Sequence, residues 1–455
     1  MKTHSALASA GLLVAVLLLL SLPTAALAQS ARHVGCQPPA RDAGAFTLAV
    51  IPDTQNYLDY THQIAAGFPF DAHTMLDRQL KYVARHARSN GGDIAFVSAV
   101  GDVWQHQSLA IDPDSGAKGY SAIFNPWLAG SLSPTPFARS VELPGAELAY
   151  DQIAGRVPFG VVPGNHDYDA MYSDSRWVPT TDVTKLDPSD PNSIGELHIG
   201  GLDNFRQVFG SSTSYFKGKR WYVATYNGGA DSAQVFHAGG YTFLHIGLEM
   251  DAPDGALTWA ARILAAHRGM PTILTTHDYL NTDATRTPNP IIDPKLTDPS
   301  HNDPQDLWTR LISKHDQIFL VLCGHEHGEA YRVDKNAFGH NVYQVLADYQ
   351  DRSAVSLEKG SAKPVTLGDG WLRLMAFRMA NRVPSIHVRT YSTYYGAYST
   401  ALPQYASLYK SSEAPTLSNA AFLAKGDFTI NLVDFRARFG EHRHDGDQLR
   451  AHLAS

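Results

Sequence analysis

The chain has 455 residues, 44% of them hydrophobic and 18% charged, enough to bury one large core or two ordinary ones. A net charge of -7 leaves no basic excess to displace counterions from nucleic-acid phosphates, which argues against a general nucleic-acid scaffold binder. Two cysteines cannot staple a disulfide-built scaffold, while 21 histidines suit metal chemistry without proving it.

Lys2, the apolar run Leu12 to Leu20 and the small residues around Ala28 form the pattern of a secretory signal peptide over residues 1–28. The run is shorter than the roughly 20 residues a spanning helix needs, so a membrane anchor is the weaker alternative. The mature protein is expected to be secreted or periplasmic, with no transmembrane segment after cleavage. Residues 29–45, rich in Pro, Gly and Ala, read as a linker. Cys36 lies there, and Cys323 lies far downstream. Their pairing stays open, although a small buried filler is the favoured role for Cys323.

A strand is expected over Phe46–Ile51, then a helix over Met75–Arg88 with Leu76, Leu80, Val83 and Ala87 at helical spacing. Ile94–Val100 is the next strand, which makes the order that of a layered α/β fold. Two polar, aromatic-rich stretches, near 105–150 and 168–240, read as insertions leaving from strand ends, placed to wall a pocket. Phe159–Val162 lies between them. The core pattern resumes with a strand at Phe243–Leu248, a helix at Ala256–His267, a strand at Thr272–Thr276, a helix at Leu307–Lys314 and a strand at Ile318–Leu322. Val342–Leu346, Leu372–Met379, Ile386–Tyr391 and Phe428–Val433 follow as closely spaced strands, an antiparallel extension. One domain over 46–435 is expected, with 436–455 as a loose charged tail.

The chemistry lies just past the apolar runs. Asp53-Thr54-Gln55 follows the first strand, Gly101-Asp102 the second, and Gly164-Asn165-His166-Asp167 the third. Thr276-His277 and Cys323-Gly324-His325-Glu326-His327 end two later ones. Open α/β sheets collect ligands at the carboxyl ends of their strands, so this series of oxygens and imidazoles points to a metal centre. Taken singly, Gly-Asp and Thr-His pairs are more often turn residues than ligands. Asp167 and Asp278 follow ligand candidates and either orient imidazoles or sit in turns. Tyr57, Tyr168, Tyr226 and Tyr279 are more simply packing aromatics than pocket walls.

In that order, Gly-Asn-His-Asp and Gly-His-x-His together resemble the calcineurin-like metallophosphoesterase superfamily, over roughly residues 47–350. The resemblance implies a four-layer α-β-β-α sandwich, here with insertions and a C-terminal strand extension. It implies two divalent metal ions (manganese, iron, zinc or cobalt), one on Asp53, Gln55 and His327, the other on Asn165, His277 and His325, with Asp102 bridging. It also implies a phosphatase or phosphodiesterase on a small phosphoester substrate, with in-line attack by hydroxide held between the ions and His166 as general acid. The chain departs from the family at Gln55, where histidine is usual, and Gln105 fits neither the protein phosphatase nor the purple acid phosphatase branch. A nucleotidase would want a second domain, for which the region after residue 395 is short. No Gly-x-Ser-x-Gly elbow supports a serine hydrolase. The rival from another class is a non-catalytic metal- or glycan-binding protein that retains the fold. Oligomeric state is not legible.

Overall fold

In the computed structural model, residues 44–440 are described, apart from 131, 188 and 189. All of them fall in the second of two units, Asp42–Ser455. The signal peptide, most of the linker and Cys36 lie outside the described residues.

The fold is mixed α/β. In chain order the strands are β1 (Ala45–Ile51), β2 (Ile94–Ala99), β3 (Phe159–Val161), β4 (Ala170–Tyr172), β5 (His198–Gly200), β6 (Tyr222–Tyr226), β7 (Asp231–Ala238) and β8 (Tyr241–Gly247). They continue with β9 (Thr272–Thr275), β10 (Ile318–Cys323), β11 (Gly328–Lys335), β12 (Asn341–Asp348), β13 (Trp371–Arg378), β14 (Ser385–Ser392), β15 (Ala397–Tyr398) and β16 (Asp427–Asn431). One seven-stranded sheet runs β15-β14-β13-β1-β2-β3, with β16 paired to β14. A second runs β11-β12-β10-β9-β8-β7-β6, and β4 pairs with β5 in a small ribbon.

Burial explains the apolar runs. β2 and β10 are buried along their whole lengths, as central strands covered on both faces must be. β1, β2 and β3 are mutually parallel, and so are β8, β9, β10 and β12. β13 adds antiparallel to β1, β14 to β13 and β16 to β14, an antiparallel extension of the first sheet, whereas Val342–Leu346, expected within that extension, lies in β12, parallel beside β10 in the second sheet.

Side chains from both sheets share one core cluster, including Phe46, Phe96 and Phe377 from the first and Phe236, Phe243 and Phe319 from the second. The Phe46 ring stacks on Phe377 at 4.4 Å and meets Phe243 edge-on at 5.3 Å, favourable geometries for aromatic pairs. The outer face of the first sheet packs on the helix His73–His86 through Met75, Leu76, Leu80 and Val83, one stripe of its 3.6-residue period. The second sheet is covered by the helices Asp254–Ala266 and Pro304–Arg310. Among the described residues, no helix is long and apolar enough to cross a membrane.

Three boundaries differ from the sequence reading. The second insertion ends near residue 221, because β6 and β7 belong to the second sheet. β6 is an edge strand with mostly part-exposed side chains, so its apolar signal is weak. The first insertion ends at Glu142, since the helix Leu143–Tyr150 buries Leu143, Ala146 and Tyr150 in the core of the first sheet. Residues 436–440, read as the start of a loose tail, complete the helix Phe435–Phe439 with Phe439 buried. Arg438 anchors it by donating to the carbonyls of Ile318 at 3.0 Å and Asn341 at 2.7 Å.

Candidate metal centre

Six strands from the two sheets deliver their carboxyl ends to one place. Asp53 and Gln55 follow β1, Asp102 follows β2, and Asn165 and His166 follow β3. His277 follows β9, and His325 and His327 follow β10. The sixth is β12, which ends at Asp348 and continues into Gln350 and Asp351.

At the centre, Nε2 of His277 lies 3.2 Å from Oδ1 of Asn165, 3.3 Å from Oδ1 of Asp102 and 3.2 Å from Nδ1 of His325. Nδ1 of His277 donates to the Val100 carbonyl at 2.8 Å, which fixes the ring and leaves Nε2 facing two oxygen acceptors. Such a grouping repels itself unless a proton or a cation sits within it. Asp102, His277 and His325 bring ligand atoms within 4.8 Å of one another, a buried group close enough to hold a metal ion.

The remaining candidates surround that group. Gln55 Nε2 donates to Asp102 Oδ2 at 3.3 Å, and the backbone N–H of His166 donates to Asp102 Oδ1 at 2.9 Å. Oδ2 of Asp53 accepts from the His325 N–H at 3.0 Å and lies 4.0 Å from His277 Nε2. His327 is half-exposed and joins the others through Gln350, whose amide touches both His327 Nε2 and Gln55 Nε2. Asp351 holds the other face of His327, with Oδ2 2.7 Å from Nδ1.

Two observations test whether a cation fits. Oδ1 of Asp53 and Oε1 of Gln55 are buried beside Asp102 and have no hydrogen-bond partner, which leaves two oxygens able to accept a cation there. Glycine is also required beside the ligands: a Cβ on Gly164 would lie 2.2 Å from Asp102 Oδ1, and one on Gly324 would lie 2.1 Å from Asp53 Oδ1. The backbone is pulled in to the carboxylates, and Asp102 and His325 themselves adopt positive φ, 49° and 69°. The residues fit a cation-binding cradle.

The electrostatics agree. Burial and the nearby carboxylates of Asp348 and Asp102 push the Asp53 carboxyl well up. Burial and neighbouring Asp351 and Asp102 likewise raise Asp348 to about 7, partly offset by His327. Burial alone would disfavour charge on both Asp102 and His277. Their mutual attraction wins, holding Asp102 far below the usual carboxylate range and raising His277 to about 10. His325 is driven the other way, by burial and by the neighbouring charge on His277. Buried carboxylates of this kind need a paired cation, and the cluster supplies only imidazoles.

His166 stands at the edge of this group. Its Nδ1 donates to the Gln105 carbonyl at 2.7 Å, and its Nε2 lies 3.9 Å from Asp102 Oδ2. Asp167 does not orient an imidazole. Its carboxylate accepts from the backbone N–H groups of Gly164 at 2.9 Å, Val103 at 2.9 Å and Trp104 at 3.4 Å, clamping two ligand loops together. Asp278 is buried next to Glu326, and burial raises its carboxyl to about 8.

The cluster opens into a cavity of about 750 Å³, onto which Gln55, Asp102, Asn165, His166, His325 and His327 face. Asp53 and His277 lie beneath its floor, 3% and 0% exposed. Residues of both insertions contribute to the wall, whereas Tyr57, Tyr168, Tyr226 and Tyr279 do not line it. A second group, Asp59, His106 and Glu142, also brings ligand atoms together. Glu142 already accepts from the N–H groups of Tyr60 and His106 and from the His106 ring, which makes it an anchor for the first insertion.

Asp348, Gln350, Asp351 and Asn289 escape the sequence reading. The signal was present for the first two: an apolar run ends in Asp348-Tyr349-Gln350, which repeats the Asp53-Thr54-Gln55 pattern. Cys323 is free and buried, 3.7 Å from the Val345 carbonyl. Comparison with protein-family models and with curated proteins gives no match for the chain.

Proposed function

We propose that this chain is an exported metallophosphoesterase of the calcineurin-like superfamily, hydrolysing phosphoric esters with two divalent cations. The observation that carries this reading is the meeting of Asp102, Asn165 and His277 at 3.2–3.3 Å beside the partnerless oxygens of Asp53 and Gln55. Two sheets packed face to face with helices on their outer faces support the four-layer α-β-β-α sandwich. Asp53, Gln55 and His327 would hold one cation, Asn165, His277 and His325 the other, and Asp102 both. Mixed nitrogen and oxygen donors suit manganese, iron, zinc or cobalt. When bound, such a pair supplies Lewis acidity that acidifies water and neutralises phosphoryl oxygens.

The chain's own residues supply the rest. The Gln105 carbonyl accepts from Nδ1 of His166, which leaves Nε2 for the cavity, 3.9 Å from Asp102 Oδ2. Donation from Nε2 there would serve the leaving oxygen. Val100 fixes His277, and Asn289, Gln350 and Asp351 fix His325 and His327, so the cradle is set before substrate arrives. A passive binder has no use for a histidine so placed.

The test is a metal-reconstituted assay of purified mature protein against matched aryl phosphate mono- and diesters, with His166→Ala as control. Turnover that is lost on chelation and reduced in His166→Ala is expected. Absence of turnover with both cations bound would leave only a binding protein.

A further inference from the structure

The cavity has two unlike linings. Besides the metal cradle it presents an apolar wall of Trp127, Leu132, Met171, Leu197, Ile291 and Ile292, drawn from both insertions and from the loop after β9. Its volume of about 750 Å³ falls in the range of small-molecule sites.

The wall is built in, not draped. Asn125 accepts from the Trp127 N–H at 2.9 Å and donates to Ser173 Oγ at 2.7 Å and the Ile194 carbonyl at 3.0 Å, which ties the first insertion to the second. The Leu197 N–H donates to the Ile291 carbonyl at 2.7 Å, which ties the second insertion to the later loop. The N–H groups of Ile291 and Ile292 both donate to Asn289 Oδ1 at 3.0 Å, and Asn289 Nδ2 lies 2.9 Å from His325 Nε2. Wall and cradle are therefore fixed relative to one another.

The side chains of fixed charge around the cavity are all acidic, its titratable cations being the imidazoles of His62, His166, His325 and His327. Among the described residues that line it there is no lysine and no arginine, while Asp59, Glu326 and Asp351 join Asp102 there. Anionic oxygens beyond those the cradle and His166 can hold would face carboxylates, hydrocarbon or the neutral donors of Asn56, Thr61 and Thr282, with no fixed cation to pair them. Taking an unpaired charge into such a place is strongly unfavourable.

We propose that the site selects phosphodiesters with one phosphorus centre and a single negative charge, whose uncharged aryl or branched alkyl arm packs on the Trp127 wall. Phosphomonoesters and nucleoside diphosphates, which bring extra charge, are poor substrates. The proposal rests on the phosphoesterase reading and narrows it to a substrate class. The arm's chemistry is common to free aryl diesters and to lipid esters.

Two measurements on the manganese-loaded full chain decide it. Calorimetric titration compares diphenyl phosphate with dimethyl phosphate and phenyl phosphate, and turnover compares bis(4-nitrophenyl) phosphate, methyl 4-nitrophenyl phosphate, 4-nitrophenyl phosphate and ADP. Diphenyl phosphate is expected to bind on the order of tenfold more tightly than either comparator, with a matching order in kcat/KM. Trp127→Ala should erase most of the aryl-over-methyl ratio through KM, with kcat much less affected. Efficient hydrolysis that favours the monoester or ADP, or a ratio indifferent to Trp127→Ala, overturns the substrate class but leaves the phosphoesterase reading standing. Tight, Trp127-dependent binding without any turnover overturns the phosphoesterase reading and keeps the recognition. Cleavage of a lysophospholipid as well would assign the arm to lipid, and its absence beside aryl-diester turnover to a free ester; both uphold the proposal.

Discussion

His166 nears Asp102 directly and Gln350 reaches it through Gln55, so the two should fail in different ways when removed. The His166 ring approaches the cradle at Asp102, with Nε2 3.9 Å from Oδ2, too far to bond it. His166→Ala is therefore expected to lower kcat by about 10²–10⁴-fold, the usual contribution of a general acid, while metal content holds. Equal rates would remove that assignment. Gln350 instead bridges Gln55 and His327, so Gln350→Leu should weaken the cation nearest them by about 10–100-fold, read by competitive titration with a chelating dye. The difference in legibility follows the same line. His166 was readable because Gly-Asn-His-Asp fixes its place in the chain. Gln350 was not, because an Asp-x-Gln after a strand gains meaning only once β12 is seen to lie parallel beside β10.

Among the elements, the loops after β2 and β3 carry the most chemistry on the least regular structure. Asp167 holds both through three accepted N–H bonds. Asp167→Ala strands those buried donors and should lower stability by about 3 kcal/mol, with Asp167→Asn losing less. Thermal melts check the first part, and reduced metal uptake by the alanine variant checks that the clamp positions Asn165. A stability unchanged within error would show that water replaces the carboxylate. The central strands were legible because double burial leaves continuous apolar runs, as in β2 and β10. β6 and β11 were not. β11, at a sheet edge, buries its first three residues and leaves the rest exposed or half-buried, and β6 buries none of its side chains. Insertion limits were misjudged for the same reason, since edge strands and the short helix Leu143–Tyr150 carry little pattern of their own.

At the scale of the molecule, hydrocarbon and several buried polar contacts join the two sheets, among them the Arg373–Glu329 pair, the Ser98 and Thr275 hydroxyls at 2.8 Å, and His245. His245 on β8 has Nδ1 2.6 Å from Gln234 Oε1 in its own sheet and Nε2 3.2 Å from Ser98 Oγ on β2 in the other. Burial lowers its pKa from 6.5 to about 3. The unfolded chain protonates this ring near 6.5 and the folded one does not until about 3, so its stability contribution is whole above 6.5. It falls by about 1.4 kcal/mol per pH unit below that, and is exhausted near the folded value. His245→Gln should flatten that share of the acid loss, measured as the difference in urea midpoints between the two proteins from pH 7 to pH 4. A constant difference across that range would mean the ring is not held neutral.

The account rests on two cations sharing Asp102, and metal stoichiometry tests that most directly. Chains reconstituted with manganese and freed of excess should hold two equivalents by mass spectrometry. Asp102→Asn, if it folds as the parent does by circular dichroism, should hold fewer than one. A parent chain holding none, or a variant still holding two, would contradict the shared centre and with it the hydrolase.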